Sequence, residues 1–479
     1  MDIRPLPEKQ GVGFFSLKPL TEEDKREAGN NGIWWRYREE VVGRYHNCYV
    51  TPECYFWPCH DWYNKKIVEP YPIVDAFSPN LDKELHVGHL RNLSIALSLQ
   101  RLLETPGHGA IFVALLGSGK GILKKSKDAL KKWLRCVHYK PKLYYDCLMP
   151  TDEDIVVRRK AMMPKKQTDG TTVDEECTVW DGPEGPVIVI RGDGRPLYTF
   201  HDIAFAKTVG PTHYITGQEQ RAHFISLGLG DRHRPMGLVL GKDPVSGKWS
   251  KMKSRTGDAL SAQEALDIIV DKLKDGKTKL KKNKETDQYG NQEAGGWNDM
   301  ERLAWNVLAW NFLVCSRAQD VRFDPDLWTD PNRGGLHITY TYARLVSALT
   351  KAGGSPDFAF QAPWQAKLIA QGHPDPKEWW NPDGSHKGDP DPHYDLTQED
   401  ANLLGYSEYY HHFRWESMKA LDPVFLANYT LALSHKLAAA YHTEKIDGGR
   451  YGFQHAINYA MRNLWHCMVN LGMFPLGEV

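Results

Sequence analysis

A strand-like apolar run followed by a polar loop and a helix limits the possible folds of this chain more than any other feature. The residues YPIVDAF, from Tyr71 to Phe77, predict a buried strand, and Val87 to Glu104 predict a helix because leucine and isoleucine recur at helical spacing. The connecting loop, SPNLDKELHVGH, opens that helix, and helix N-termini attract anions such as phosphate. This order predicts the first half of a nucleotide-binding α/β fold.

The same alternation of strand and helix continues along the chain. Ala110 to Gly117 predicts a second buried strand, and a mixed insertion with basic runs follows at about 118–186. Beyond it, VIVIR, LYTF, HYITG and MGLVL predict further strands, with helices expected from Asp202 and Glu219. The sequence therefore predicts a doubly wound parallel sheet.

Length and composition predict several domains and no global attraction to nucleic acid. The chain has 479 residues, and lysine plus arginine equal aspartate plus glutamate at 60 each, so RNA binding would have to use local basic patches. The N-terminus lacks an apolar stretch of signal-peptide length, and no apolar run approaches the ~18 to 20 residues that cross a bilayer. We expect a cytoplasmic protein with no membrane partner.

The eight cysteines are scattered, which in an intracellular protein predicts reduced thiols. One cluster contains Cys48, Cys54, Cys59 and His60, with His46 nearby. Its spacing matches no established zinc-binding pattern, so the sequence does not predict zinc there.

A second loop, GKWSKMKSRTGD from Gly247 to Asp258, is rich in lysine. By itself such a segment is usually a solvated surface turn. Together, HVGH and this loop resemble the HIGH and KMSKS segments of class I aminoacyl-tRNA synthetases. The SPN tripeptide and a lysine three positions before HxGH are similar to the arginyl-tRNA synthetases in particular.

This resemblance runs from Tyr71 to the C-terminus. It implies a Rossmann-like doubly wound parallel sheet of class I synthetase type, with a C-terminal all-helical anticodon-binding-like domain. The regions expected are an irregular N-terminal extension (1–70), a catalytic domain (71–260), a connecting helical region with a lysine-rich loop (261–330) and the helical domain (331–479).

The first set of candidate residues serves ATP chemistry. Joining a carboxylate to the α-phosphate requires anions to be brought together and a five-coordinate phosphorus to be stabilised. The resemblance implies catalytic roles for Lys83, His86, His89 and Lys251. It assigns ATP contacts to Ser78, His86, Gly88, His89, Lys251 and Ser254. Lys83 would compensate for the second lysine of KMSKS, where Ser254 stands, and ATP with Mg²⁺ is the implied cofactor.

The second set would form an arginine pocket, which needs carboxylates and other acceptors for the guanidinium. The family's pocket residues fall on Asn80, Tyr198, Asp202 and Gln220, and Asp75 is a further candidate. Taken singly, each of these two residues is more often structural than functional, Tyr198 as a strand-end aromatic and Asp202 as a helix N-cap. Their joint order along the chain favours the pocket.

Two departures leave the final activity open. After the first helix the family carries N-H-x-G-D-W-G, whereas this chain reads ALLGSGKGILKK, and the first 70 residues are shorter than the usual N-terminal tRNA-binding domain. In the C-terminal helices, Tyr429, Tyr441 and Trp465 are either RNA-stacking aromatics or core residues.

Three functions remain as hypotheses. The first is a monomeric arginine–tRNA ligase that forms arginyl-adenylate from arginine and ATP and transfers arginine to the 3′ end of tRNA. The second is a paralogue that uses activated arginine or charged tRNA for another product, such as a small peptide. The third is an inactive tRNA-binding regulatory protein.

Overall fold

The computed structural model describes most of the chain in separate segments. These are residues 3–5, 13–16, 37–42, 45–50, 73–103, 109–117, 122–145, 157–167, 170–243, 246–252, 260–276, 297–352, 396–446 and 450–477. Outside these segments lie Ser254 and the lysine-rich loop expected in the connecting region (261–330). Three members of the cysteine cluster, Cys54, Cys59 and His60, also lie outside them.

The first part of the chain contains most of the strands. In order, its elements are β1 (Ile3–Pro5), β2 (Gly13–Ser16), β3 (Tyr37–Val42), β4 (Tyr45–Val50), β5 (Ile73–Asp75), α1 (Val87–Leu103), β6 (Ile111–Leu116), α2 (Lys124–Val137), β7 (Lys142–Tyr145), β8 (Arg159–Lys166), β9 (Thr172–Gly182), β10 (Gly185–Ile190), α3 (Tyr198–Val209), β11 (Thr212–Gly217), α4 (Arg221–Ser226), β12 (His233–Met236), β13 (Val239–Lys242) and β14 (Trp249–Lys251). The region expected to be irregular, 1–70, contains an antiparallel sheet in the order β1-β2-β4-β3, which corrects that expectation.

The second part is mainly helical. Its elements are α5 (Ala262–Asp275), α6 (Asp299–Leu313), β15 (Val321–Arg322), α7 (Pro325–Trp328), α8 (Gly334–Lys351), α9 (Gln398–Ala420), α10 (Val424–Thr443) and α11 (Tyr451–Asn470). Helix α10 packs against α8, α9 and α11, and α9 and α11 also pack against α1, so the C-terminal helices share a core with the parallel sheet.

The central sheet has five parallel strands in the order β12-β11-β5-β6-β7. The chain runs outward from β5 to β7 and then returns to β11 on the other side, so the strand order reverses between β5 and β11. Ligands bind at such a reversal in doubly wound sheets, beyond the carboxyl ends of the strands. The predicted Rossmann-like sheet with a helical C-terminal region is therefore confirmed.

Both faces of this sheet are covered, which explains the continuous apolar runs of its strands. Phe112 and Ala114 of β6 face the core that includes α1 and α2. Val113, between them, packs with Phe200 and Phe205 of α3 on the opposite face. Side chains that alternate along one strand thus fill two separate cores.

Three local predictions were wrong. VIVIR belongs to an antiparallel three-stranded sheet, β10-β9-β8, and not to the parallel sheet. LYTF is not a strand, because α3 begins at Tyr198, four residues before the expected start at Asp202. MGLVL is divided at Gly237 between β12 and β13, which lie in different sheets. A Cβ atom at Gly237 would lie 2.2 Å from the Gln319 carbonyl oxygen, so only glycine fits this change of direction.

Tyr429 in α10 is a core residue, which excludes it as an RNA-stacking side chain. It is 2% exposed, and its hydroxyl donates to the carbonyl oxygens of Tyr406 and Ser407 at 2.9 and 2.8 Å. Tyr441 and Trp465 are half-buried and pack against the same core.

Arg91 connects α1 to the junction between the sheet and the C-terminal helices. Its guanidinium is fully buried and donates to the carbonyl oxygens of Gly237 at 2.9 Å and of Ser316 and Arg317 at 3.3 Å. The arginine that follows HxGHL therefore supports the helix that carries both histidines.

Replacing Arg91 by methionine should lower the free energy of unfolding by roughly 2 to 4 kcal/mol, because buried carbonyl groups lose charged donors. Urea denaturation measures this loss. Arg101→Met on the same helix is the matched control, since Arg101 is partly exposed and donates to the carbonyl oxygens of Val137 and Val469. Equal losses in both variants would contradict a special role for Arg91.

Candidate active site

A cleft of about 620 Å³ lies at the carboxyl ends of β5 and β11, where the strand order reverses. Most of the residues predicted for ATP and arginine line it: Asp75, Ser78, Asn80, His86, Gly88, His89, Tyr198, Asp202, Gln220 and Lys251. Residues predicted from separate parts of the sequence thus meet at one site. Lys83 is not among the lining residues.

His86 and His89 form a paired donor unit at the start of α1. Their ring centroids are 3.9 Å apart. The backbone amide of His86 donates to Nδ1 of His89 at 3.0 Å, and that of Gly88 donates to Nδ1 of His86 at 3.2 Å. Because each Nδ1 accepts a hydrogen bond, the proton of each neutral ring lies on Nε2.

Both histidines remain neutral at physiological pH. Burial lowers the pKa of His89 to about 3, with smaller contributions from His86 and Lys83. Burial also lowers the pKa of His86, assisted by the charges of Lys83 and Lys251. The pair therefore offers uncharged N–H donors and not positive charge.

Gly88 is required by the histidine pair itself. A Cβ atom at this position would lie 3.0 Å from Cε1 and 3.1 Å from Nδ1 of His86. A side chain here would press on that ring and disturb its hydrogen bond to the Gly88 amide.

The segment that follows the second signature loop is hydrogen-bonded through its backbone to the first signature loop. The amide of Val87 donates to the carbonyl of Leu260, and that of Ala262 donates to Leu85, both at 2.9 Å. Ser261 lies between these contacts and starts α5 with a capping box formed with Glu264. The segment that follows the second loop is thus fixed beside the first loop.

Lys251 supplies a positive charge at the cleft wall. It is the last residue of β14, which pairs with β13, and its Nζ lies 3.7 Å from Oε1 of Glu219. Both side chains are about half exposed, so this ion pair contributes little stability. Lys251 can therefore exchange Glu219 for another anion at small cost.

Lys83 lies near the histidine pair, although its side chain is exposed. Its carbonyl accepts a hydrogen bond from Oγ of Ser126 at 2.7 Å. Its charge contributes to the lowered pKa of both histidines, which places it within electrostatic reach of them.

Asp75 is the buried carboxyl group of the cleft. It is 4% exposed, and its Oδ1 accepts a hydrogen bond from Oγ of Ser78 at 2.5 Å. Burial, assisted by the nearby charge of Asp202, raises the pKa of Asp75 to about 7. A cationic ligand would relieve both effects.

The hydroxyl of Ser78, which was predicted to contact ATP, is hydrogen-bonded to two other groups of the protein. Its hydroxyl donates to Asp75 and accepts from the amide of Leu115 at 2.9 Å. The geometry therefore links Ser78 to the carboxyl group rather than to a phosphate.

The second carboxyl group, Asp202, is held by His223. Nε2 of His223 lies 2.7 Å from Oδ2 of Asp202, which leaves Oδ1 available to a ligand. Asn80 donates to the hydroxyl of Tyr198 at 3.0 Å, so these two predicted residues contact each other across the cleft.

Sequence reasoning missed several wall residues: His201, Tyr214, Thr216, Glu219 and His223. Burial raises the pKa of Tyr214, and the charge of Asp75 adds to this effect. The pattern Q-x-x-H on α4 was the available signal for His223, because residues three apart lie on one helix face.

Within the described segments, no group of three or more His, Cys, Asp or Glu side chains is placed to bind a metal ion. The cysteine cluster lies outside the described side chains, so its prediction is untested. None of the described helices is both long and apolar enough to cross a lipid bilayer.

Comparison with known proteins identifies relatives of this chain. The family model for class I tRNA synthetases (R), catalytic domain, matches residues 61–121. The arginine–tRNA ligase of Clostridium perfringens is 24% identical over 375 residues, which cover 60% of this chain and 64% of that protein. The ligase of Acanthamoeba polyphaga mimivirus is 22% identical over 364 residues, which cover 58% of each chain. The matches thus span less than two thirds of these relatives.

Solved structures show the same fold. The arginyl-tRNA synthetase of Thermus thermophilus has a TM-score of 0.60 at 14% identity, covering 99% of this chain and 96% of that one. The Plasmodium falciparum enzyme has a TM-score of 0.61 at 14% identity, covering 100% and 94%. The sequence matches thus show similarity to arginine–tRNA ligases, and these structures show that the chain shares the fold of class I arginyl-tRNA synthetases.

Proposed function

We propose that this relative of the class I arginyl-tRNA synthetases is an arginine–tRNA ligase. The observation that supports this most directly is the shared cleft. It combines two carboxyl groups, Asp75 and Asp202, with the uncharged donors His86 and His89 and the cation Lys251. Such a site suits a substrate with a cationic end and a polyphosphate.

The first step joins arginine to AMP. A carboxylate oxygen of arginine attacks the α-phosphorus of ATP, the bond to the bridging oxygen breaks, and pyrophosphate leaves with the electron pair. In the second step, a terminal ribose hydroxyl of tRNA attacks the arginyl carbonyl carbon and AMP leaves, while the hydroxyl proton passes to the phosphate or to solvent. Neither step needs a protein nucleophile.

The cleft residues assist by position and charge. The Nε2–H groups of His86 and His89 would donate to phosphate oxygens without becoming charged. Lys251 would neutralise charge that moves onto the leaving pyrophosphate. Asp202 and Asp75 would bind the cationic groups of arginine, with Asn80, Tyr198 and Gln220 on the surrounding wall.

Mg²⁺ would enter as the ATP complex. Phosphate oxygens would supply most of its ligands, as is usual for magnesium bound with nucleotides. Asp75 and Asp202 would bind the amino acid and not the metal ion.

Pyrophosphate exchange into ATP tests the proposal. Exchange that depends on arginine, measured with and without tRNA for all twenty amino acids, would support activation of arginine. Accumulation of arginyl-tRNA would then support the ligase, whereas a small arginine-containing product without net charging would favour the paralogue. Bound tRNA without exchange under either condition would favour the inactive regulatory protein.

The affinity for arginine is expected to rise with pH and to level off above about pH 7. Below the pKa of Asp75, about 7, the carboxyl is protonated, and binding a cation requires that proton to leave. The association constant should then fall by up to about tenfold per pH unit below 7. Calorimetry between pH 5.5 and 8.5 measures this, because arginine keeps its guanidinium charge throughout.

Asp75→Asn is the control for this pH dependence. It should bind arginine more weakly at pH 8 and show a flat profile. A wild-type profile that is already flat would remove Asp75 from the ligand-binding groups.

A further inference from the structure

Helix α2 carries an unusual local excess of positive charge. Its 14 residues, KKSKDALKKWLRCV, include six basic side chains and a single acidic one, Asp128. The whole chain, in contrast, has equal numbers of basic and acidic residues. A local basic surface on a neutral protein is the pattern expected of a polyanion-binding site.

The charge lies on one side of the helix. Lys124, Lys131 and Arg135 are exposed and fall on one line along the helix, since they are separated by seven and four residues. The exposed Asp128 lies between Lys124 and Lys131 on the same line, so the face keeps a net positive charge. Leu130 and Trp133 lie on the opposite side, buried in the core. Among the described residues, neither Lys124 nor Lys131 forms an ion pair.

Helix α2, whose basic face is defined by Lys124, Lys131 and Arg135, contacts the loop before HxGH and the start of α5. At the start of the helix, Leu123 and Ser126 donate to the carbonyls of Leu81 and Lys83 at 3.0 and 2.7 Å, just before HxGH. Two turns later, Nζ of Lys132 donates to Gln263 at 3.3 Å, at the start of α5. The helix therefore packs beside the loop that leads into the two histidines and beside the helix that follows the second loop.

The composition of this surface favours a phosphate backbone over a membrane. An amphipathic helix binds lipid by inserting exposed apolar side chains. In α2 the large apolar side chains Leu130, Trp133 and Val137 are buried in the core. The exposed face offers charge at intervals along about 16 Å, which suits the repeated phosphates of RNA.

We propose that the basic face of α2 binds the phosphate backbone of the RNA whose 3′ end enters the cleft. This inference rests on the proposed function, because it takes tRNA as the acceptor. The contact is to the phosphate backbone and is therefore independent of base sequence.

The test uses the full-length chain with Lys124, Lys131 and Arg135 all replaced by glutamine, which retains helix propensity and removes three charges. The probe is a transcript of an arginine-accepting tRNA, titrated at several salt concentrations. The affinity should fall by about 10- to 100-fold near 150 mM salt, and the slope of log affinity against log salt should decrease by about 2 to 3. Binding of arginine and of ATP without tRNA, measured by calorimetry, should remain unchanged.

A matched control removes the same charge elsewhere, with Lys207, Lys274 and Lys351 replaced by glutamine; these exposed lysines lie on α3, α5 and α8. The control should bind tRNA like the wild type. Equal losses in the two triple variants, or wild-type affinity and slope in the α2 variant, would overturn the inference. So would a loss of binding to phosphatidylserine vesicles with unchanged tRNA binding.

The same measurements separate this inference from the proposed function. If the wild type shows no arginine-dependent exchange but its tRNA affinity still depends on α2, the proposed ligase activity is contradicted and the proposed RNA-binding surface is supported. If the wild type shows arginine-dependent exchange but its tRNA affinity does not depend on α2, the RNA-binding surface is contradicted and the ligase activity is supported. Equal melting temperatures of the variants exclude unfolding as the cause of either result.

Discussion

Replacing Lys251 by alanine is expected to slow arginine-dependent pyrophosphate exchange by about 10²- to 10³-fold, while the dissociation constant for arginine stays within about twofold. The reason is the location of the charge. Lys251 lies on β14 at the cleft wall, 3.7 Å from Glu219, whereas the carboxyl groups proposed to bind arginine belong to β5 and α3. Its charge is used when negative charge develops on pyrophosphate, and thus mainly in the transition state.

Two further variants define the role of that charge. Lys248→Ala removes an exposed lysine three residues earlier that is absent from the cleft wall, and it should behave like the wild type. Lys251→Arg keeps the charge and should recover part of the activity. Exchange rates and calorimetric arginine titrations are measured on all three. Equal losses of exchange and arginine affinity in Lys251→Ala would contradict a role confined to the transition state.

The site was predictable where a local pattern determines a local structure. The residues from Tyr71 to Glu104 predicted the order of strand, loop and helix, and a glycine between two closely spaced histidines predicted a site at the helix start. The prediction that Asn80, Tyr198 and Asp202 lie together in one pocket came from the family resemblance. Composition and periodicity alone would not have joined residues 118 positions apart.

The wrong predictions of secondary structure and strand pairing concern features that tertiary packing determines. VIVIR is apolar enough for a strand in either type of sheet, and its sequence does not determine whether its partner is parallel or antiparallel. LYTF contains aromatic and β-branched residues that favour strands, but Tyr198 to Phe200 form the first turn of α3, where Phe200 packs in the core.

His223 shows the same limit at the level of the site. Its contact with Asp202 joins residues 21 positions apart on two helices, which no local pattern specifies. The raised pKa of Asp75 likewise results from burial by surrounding elements, and the sequence showed only a carboxyl group at a strand end. Such pairings decide the chemistry of the cleft, although each residue alone looked ordinary.

Replacing Asp202 by asparagine is expected to weaken arginine binding by roughly 30- to 100-fold, about 2 to 3 kcal/mol, and to leave ATP binding unchanged. Asparagine has the same shape but no charge. His223 holds Oδ2 of Asp202 at 2.7 Å, so Oδ1 can face the ligand in a fixed orientation. Calorimetric titration with arginine and with ATP measures both affinities. Asp193→Asn, an exposed carboxyl group before α3, is the matched control and should change neither.

Citrulline distinguishes recognition of charge from a structural effect, because it replaces the guanidinium by a neutral group of similar shape. If Asp202 binds the guanidinium, the wild type should prefer arginine strongly, and the Asp202→Asn variant should lose most of that preference. If Asp202 acts only by holding His223 and α4 in place, both ligands should weaken by the same factor. An unchanged ratio of the two affinities would therefore remove Asp202 from the arginine pocket, even if arginine binding itself had fallen.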